Sequence, residues 1–546
     1  MLPNIQIIHS EFVTQDFSSD SAVVIYTSKQ DLESEFLPFS GLASSISSLE
    51  AVDSSAHKET VFLVSPHVPG ARLILSPIST LETDTADVRL VADAVKSGLR
   101  RAIKAGSRSP SIYLSNITHF PESADSDYSN WIEVAILASL EESYVSLVAR
   151  EWNSKKEAFD KNEKFDSLKF VISPKIICDT DILLRNVSAI ESGKRLARDL
   201  GYCDAERMTP YKMAAHIQNE LSSIPGLTVV VDKDLESIRT NYPLTYHSAR
   251  ASFSAEHTRP AIVEITYKSP EQSSVSENLY LVGKGVTFDT GGINIKVGAA
   301  MNGMSRDKLG ACSVAGFLLT TGLLQPTHVN VTGFLSLTRN SVGPNSLLPD
   351  EVLVSRAGVR VHIINTDAEG RLVMTDPLAV CRERIDALRQ SGDTTDSTVY
   401  TVATLTGHAV RAYGPYGATV ANGPARLNNK DRKISAFGTR FGDPFENSIL
   451  RREDYSLIAS HSDREDVFQV THQSSANTSR GHQFPAAYMI IASGLDKHGL
   501  GSSPSNRIDY IHLDIAGNAE ESSAEGLGLP KITANPITTL TYTHLL

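Results

Sequence analysis

Between residues 359 and 372 the chain passes from an apolar run straight into a knot of charge. Val359 to Ile364 alternates apolar side chains as a buried strand does, and Asn365-Thr366-Asp367-Ala368-Glu369-Gly370-Arg371-Leu372 follows at once. Two carboxylates two residues apart, with an arginine two further on, therefore stand where a strand ends. In an open α/β sheet the carboxyl ends of the strands are where ligands bind. Acid-x-acid-x-base at that place reads as a cation site with an anion clamp beside it. Taken alone, the same residues also suit a turn with a capping aspartate and a surface ion pair.

A second cluster favours the site. Leu279 to Val282 reads as a buried strand, followed by Gly283-Lys284-Gly285-Val286-Thr287-Phe288-Asp289-Thr290-Gly291-Gly292, then by Ile295-Lys296 and Met304-Ser305-Arg306-Asp307. The glycines permit close backbone approach to a ligand. Together the two segments supply Asp289, Asp307, Asp367 and Glu369, with Lys284, Lys296 and Arg371. An acidic set without histidine suits divalent cations held mainly by oxygen, and four carboxylates balance two such ions. Two-metal hydrolysis fits that arithmetic. Asp289-Thr290-Gly291 also spells the aspartic-protease triplet, but that chemistry needs a second such aspartate facing the first, and no second D-[TS]-G occurs. Gly283-Lys284-Gly285 does not extend to a G-x-x-x-x-G-K-[ST] phosphate loop. By itself Lys296 suits a solvated surface lysine, Met304 a core position, and Thr404 and Gly407 the close of a strand.

These residues resemble the two-zinc leucyl aminopeptidases, the cytosol aminopeptidase family. The hallmark NTDAEGRL is intact at 365–372, and VGKG-x-TFD-[ST]-GG is intact at 283–292 with its flank. Ala403-Thr404-Leu405-Thr406-Gly407 resembles the family's substrate-pocket ATLTG, and His512-Leu513-Asp514-Ile515-Ala516-Gly517 its late HLDIAG strand. The resemblance covers roughly the last two thirds of the chain. It implies a metalloexopeptidase, a hydrolase that removes the N-terminal residue from short peptides with a two-metal-activated water. By the same resemblance Asp289 and Glu369 bridge the metals, Asp367 completes the ligands of the first metal, and Lys284 and Asp307 complete those of the second metal. A metal-bound Lys284 must be neutral, which requires a lowered pKa. Lys296 would polarise the scissile carbonyl, and Arg371 would hold a bicarbonate-like anion as general base. Met304, Thr404, Leu405 and Gly407 would line the substrate pocket. Zinc is the expected metal, and manganese, magnesium and cobalt also tolerate such sites. A homohexamer is implied as well.

Some positions depart from the family pattern. Lys308 follows Asp307 where an apolar residue is usual, His408 follows TLTG where alanine is common, and the 463–481 and 201–204 segments lack the usual strings. They point to a divergent member whose preference need not be leucine. They also keep open a catalytically weak homologue acting as an oligomeric binding or scaffold protein.

The pattern along the chain implies two α/β parts: an N-terminal domain over 1–183, and a catalytic α/β/α domain over 184–546 with a largely parallel central sheet, entered through a helix near 185–200. Strands are expected at 20–27, 60–67, 71–78 and 109–117, then at 261–267, 279–283, 328–336, 359–364, 398–404 and 510–514. Helices are expected at 84–105 and 128–145. Asp376-Pro377 suits the start of the helix after NTDAEGRL, and the serine-rich patches 43–55 and 473–479 suit loops. A net charge of −12 without a long basic run argues against nucleic acid. No apolar run reaches the ~20 residues of a membrane helix. Four widely spaced cysteines and an amino terminus without signal-peptide features suit the cytoplasm.

Overall fold

Short apolar runs in the amino-terminal third, each bounded by polar turns, pair into a six-stranded sheet. Its strands are β1 (Asn4–His9), β2 (Ser21–Tyr26), β3 (Val61–Val64), β4 (Arg72–Pro77), β5 (Pro110–Tyr113) and β6 (Ser167–Ile172), in the order β1-β6-β5-β2-β4-β3. All pairs are parallel except the edge pair β3–β4. β2 is buried at every position, as a strand covered on both faces must be. The structure, a computed structural model, describes residues 2–12, 18–33, 37–39, 42–79, 81, 83–117, 120, 127–473, 478–521 and 531–546. Residues 1–192 with 439–442 form one compact unit, and 193–438 with 443–546 a second. The helix Thr180–Tyr202 contains the boundary. The serine-rich patch at 43–55 is not all loop: Leu42–Glu50 is a helix, because Leu42 and Ile46, one turn apart, both find burial. In the second patch, residues 474–477 lie outside the described residues.

The second unit is organised on an eight-stranded sheet. Its strands are β7 (Leu227–Asp232), β8 (Ala261–Tyr267), β9 (Glu277–Asp289), β10 (Val329–Asn340), β13 (Asp396–Ala403), β14 (Gly417–Ala421), β15 (Phe445–Ile449) and β17 (Asp509–Asp514), in the order β15-β14-β17-β13-β9-β10-β8-β7. The central run β17-β13-β9-β10 is parallel, and antiparallel pairs flank it. Successive residues of a strand face opposite sides of the sheet, and β9 uses this directly. Tyr280, Val282 and Val286 enter the core that also holds Leu372, Met374 and Leu378 of the helix Glu369–Gln390. Gly283 and Gly285 face the helix Leu309–Leu324, where a Cβ on Gly283 would lie 2.7 Å from Ala311 Cα. Lys284, between the two glycines, shares the face of Val282 and Val286 and reaches the start of the helix Glu369–Gln390.

Two expectations change here. The run 359–364 does not join the main sheet. Its strand β12 (Arg360–His362) pairs with β11 (Val352–Val354) and β16 (Val467–Phe468) in a separate three-stranded sheet. An apolar run identifies a buried strand but not the sheet it enters. Nor does Asp376-Pro377 start a helix: Pro377 lies inside Glu369–Gln390. A proline there leaves the carbonyl four residues back without its helical donor. That carbonyl, of Val373, accepts instead from Ser336 Oγ at 2.6 Å and Thr245 Oγ1 at 3.2 Å. Buried Asp376 accepts from the backbone N–H groups of Leu244 and Arg356.

The helix Leu309–Leu324 meets the sheet tightly at Gly310, where a Cβ would lie 2.1 Å from Val402 O. Backbone cannot yield there without moving the helix off β13. Gly310→Ala is expected to cost about 1–3 kcal/mol as an overpacking change. Gly501→Ala, which meets nothing within 4 Å, should be near neutral. Urea unfolding of the two variants beside the parent measures the difference.

Candidate metal centre and active site

Three junctions bring the charged residues together. β9 ends at Asp289, and Lys284 lies five residues before that end. The 3-10 turn Met304–Arg306 leads to Asp307, two residues before the helix Leu309–Leu324. The turn Thr366–Ala368 carries Asp367 directly into the helix Glu369–Gln390, so Glu369 stands in its first turn, where the helix dipole favours a carboxylate. Asn365 shapes that turn by accepting from Asp367 N at 2.9 Å.

All but one of the residues singled out in the sequence line one cavity of about 410 Å³: Lys284, Asp289, Lys296, Met304, Asp307, Asp367, Arg371, Thr404, Leu405 and Gly407. Glu369 lies behind its wall, 3.0 Å from Lys284 Nζ through Oε1. Lys284 Nζ also meets Asp307 Oδ2 at 2.8 Å, and Lys296 Nζ meets Asp289 Oδ2 at 2.8 Å and Asp367 Oδ1 at 2.5 Å. Thr404 Oγ1 donates to Asp307 Oδ1 at 2.9 Å. A Cβ on Gly407 would meet nothing within 4 Å, so this glycine leaves pocket space open.

The charge balance is uneven. One ligand oxygen from each of Asp289, Asp307 and Glu369 lies within 4.8 Å of the others, and all three residues are buried. Burial, with the charge of Asp289 beside it, pushes the carboxyls of Asp307, Asp367 and Glu369 above the ordinary range. Four carboxylates, three of them buried, thus face two lysines, an oxygen-rich donor set that fits divalent cations. Lys284 is not neutral in this setting. Burial pulls its ammonium down, but Asp307, Glu369 and Asp289 outweigh burial and hold it above the ordinary lysine value. The lowering expected for a ligand needs a dication in place of that negative field. Arg371 differs: burial pulls its guanidinium down to about 10. Its Nη1 donates to Gln469 O at 2.9 Å, its plane carbon lies 5.1 Å from the Phe484 ring centre, and its buried Nε has no hydrogen-bond partner.

Several contributors were not singled out in the sequence. Gln469, fully buried, accepts from Ile364 N and Asn365 N through Oε1 and donates to Ala368 O through Nε2, so one amide clasps the Asn365–Ala368 turn from both sides. Asp514 at the end of β17 accepts from Leu405 N, Thr406 N, Thr406 Oγ1 and Ala516 N, which fixes the loop after β13. Burial raises its carboxyl to about 6. Asn340 touches both Asp289 and Glu369. Asp514 stands inside the HLDIAG string and Asn340 touches Glu369 of the NTDAEGRL string, but a glutamine a hundred residues away carries no signature of its own. Lys308 does not aim at the carboxylates: it is fully buried, with Nζ donating to Cys203 O at 3.0 Å and to Ser305 O. His408 lines the cavity and packs on Gly481, where a Cβ would come within 2.3 Å of its ring.

The catalytic-domain model of the cytosol aminopeptidase family matches residues 195–541. The chain belongs to this family. It is a peptide hydrolase of the aminopeptidase class, from a metal-dependent family. A "Putative aminopeptidase" of Caenorhabditis elegans is 34% identical over 497 residues, 90% of each chain. The fold matches leucyl aminopeptidase from Trypanosoma brucei in complex with actinonin, at a TM-score of 0.76 and 20% identity over 100% of this chain and 96% of that one. It also matches the bottromycin maturation enzyme BotP in complex with Mn, at 0.71 and 22% over 96% and 99%. Among the described residues, no helix is long and apolar enough to cross a membrane.

Gly370 is the residue that most narrowly permits this arrangement. A Cβ there would lie 2.6 Å from Lys284 Nζ and 2.8 Å from Leu405 Cδ1. Both are flexible side-chain ends, so the fold can absorb the methyl while Lys284 is driven off Asp307 and Glu369. Gly370→Ala is expected to melt near the parent temperature yet lose on the order of tenfold or more in metal affinity and activity. Parallel melting curves and metal titrations check it.

Proposed function

We propose that this site removes the amino-terminal residue from short peptides, with two divalent cations held by Lys284, Asp289, Asp307, Asp367 and Glu369. The observation that carries the reading is the convergence of Asp289, Asp307 and Glu369 beside a cavity that Lys296 and Arg371 also line. When bound, such cations supply Lewis acidity toward a carbonyl and a water, and a bicarbonate-like anion supplies a base. Zinc is the favoured resident, with manganese, magnesium or cobalt also suited to the donor set.

The chain's own residues account for the rest. Lys296 is depressed by burial but raised further by Asp289 and Asp367, so it stays above the ordinary lysine range and charged at neutral pH. From the cavity wall it draws the negative charge that develops on the scissile carbonyl oxygen, a contribution realised mainly in the transition state. Arg371 offers its unpartnered Nε to the anion. Thr404, Leu405 and Gly407, on the loop held by Asp514, bound the space for the substrate together with Met304. A free α-amine, able to act as a ligand only when uncharged, confines cleavage to chain ends. The family resemblance also supports a cytoplasmic homohexamer. The alternative of a catalytically weak scaffold gains nothing from Lys308, whose ammonium turns to backbone carbonyls rather than to the carboxylates.

Matched peptides with free and acetylated amino termini test this reading in the presence of added zinc or manganese. The free peptides should lose one residue at a time and the acetylated ones resist. Internal cleavage of the blocked peptides would refute it.

Lys296→Ala separates catalysis from metal binding. Its kcat is expected to fall on the order of hundreds-fold with metal content unchanged, and Arg371→Ala should fall less, because another anion or water replaces part of its role. Turnover retained with metal lost would make Lys296 a ligand instead.

A further inference from the structure

Asn340, the last residue of β10, stands behind the carboxylates rather than among them. It is buried, and its Nδ2 donates to Asp289 Oδ1 at 2.8 Å, to Thr366 O at 3.1 Å and to Glu369 Oε2 at 3.3 Å. Its own main-chain carbonyl accepts from Thr290 N and Thr290 Oγ1, both at 3.0 Å. The β10–β9 pairing sets Asn340 opposite Asp289 across a register shift that follows Thr338, and such irregularities re-aim a side chain at a strand end. One residue therefore ties the end of β9 to the turn and helix that carry Asp367 and Glu369.

We propose that Asn340 is a positioning residue for the metal-binding carboxylates. By occupying Asp289 Oδ1 and Glu369 Oε2, it leaves Asp289 Oδ2 and Glu369 Oε1 as the oxygens turned toward Lys296 and Lys284, at 2.8 and 3.0 Å. The inference rests on the two-cation reading of the site. The carboxamide has the chemistry for this task. It offers two N–H hydrogens and no net charge, so it gives one to Asp289 at the shortest contact and shares the other between Thr366 O and Glu369. An aspartate there would add to the repulsion, and a lysine would compete with the cations. Partners that orient ligands in this way are worth roughly 10–100-fold in metal affinity.

The test uses the full chain stripped of metal: parent, Asn340→Ala, Asn340→Leu and Asn340→Ser, each titrated with Zn²⁺ and with Mn²⁺ against a chelating dye. Melting of the stripped proteins, and kcat and KM on an unblocked dipeptide at saturating metal, complete the comparison. The Ala and Leu variants are expected to lose about 10–100-fold in metal affinity and to lose kcat, with KM little changed. Asn340→Ser should fall between them and the parent, because one O–H serves one carboxylate. Leucine keeps the side-chain volume, so a stripped melting temperature near that of the parent separates lost orientation from lost packing. Parental metal affinity and kcat in Ala and Leu overturn the proposal, as does a loss of melting temperature with no change in metal affinity. A parent that binds no divalent ion overturns the two-cation reading itself, and that result is read from the parent alone.

Discussion

Four carboxylates and two lysines crowd together at one cavity, most of them buried, and the surrounding structure is arranged to make that tolerable. A buried carboxylate must find cations or donors close by, because the medium around it offers neither. Each element that reaches the centre brings one. Asp289 takes the Gly291 N–H at 2.8 Å, Asp307 takes the Thr404 hydroxyl, and Lys284 reaches both Asp307 and Glu369. These donors come from β9, the turn that follows it and the loop after β13, and they meet the carboxylate at the start of the helix Glu369–Gln390. The centre therefore exists only where these elements meet.

Bringing them that close demands that backbone lie on backbone. Gly283 and Gly285 let the helix Leu309–Leu324 settle on β9, Gly310 lets the same helix settle on β13, and Gly370 lets Lys284 pass beside the opposite helix. The alternation of β9 does the sorting: small residues on one face bring the helix in, while Lys284 on the other face carries the charge. Electrostatics and packing are thus two requirements on the same few residues. Relaxing either moves the lysine.

What could be read from the sequence follows from how local each signal is. The NTDAEGRL and VGKG strings are contiguous, and their charges declare themselves, so Lys284, Asp289, Asp367 and Arg371 were readable as one group with Asp307 from the segment that follows the second string, and the structure collects them around one cavity with Glu369 behind its wall. Long apolar strands such as β8 were equally plain. β1 and β7 were not, because their residues alternate between exposed and half-buried and look like surface. β12 showed its apolar character but not its partner, since pairing is settled by residues such as Val467 more than a hundred positions away. Gln469 and Asn340 were invisible for a related reason. An uncharged amide has no distinguishing chemistry until the fold supplies its acceptors. Pro377 misled in the opposite direction: its local rule is a helix start, and two hydroxyls from elsewhere in the chain overrode it.

Those two hydroxyls restrict how this protein can change over generations. Ser336 belongs to β10 and Thr245 to the helix Pro243–Ser248, and both converge on the Val373 carbonyl that Pro377 leaves free. One residue added or removed between Glu369 and Val373 would turn the helix by about 100°. Either the carbonyl would then lose its two donors or Glu369 would swing away from Lys284. The interval between the proline and the glutamate thus works as a ruler of fixed length.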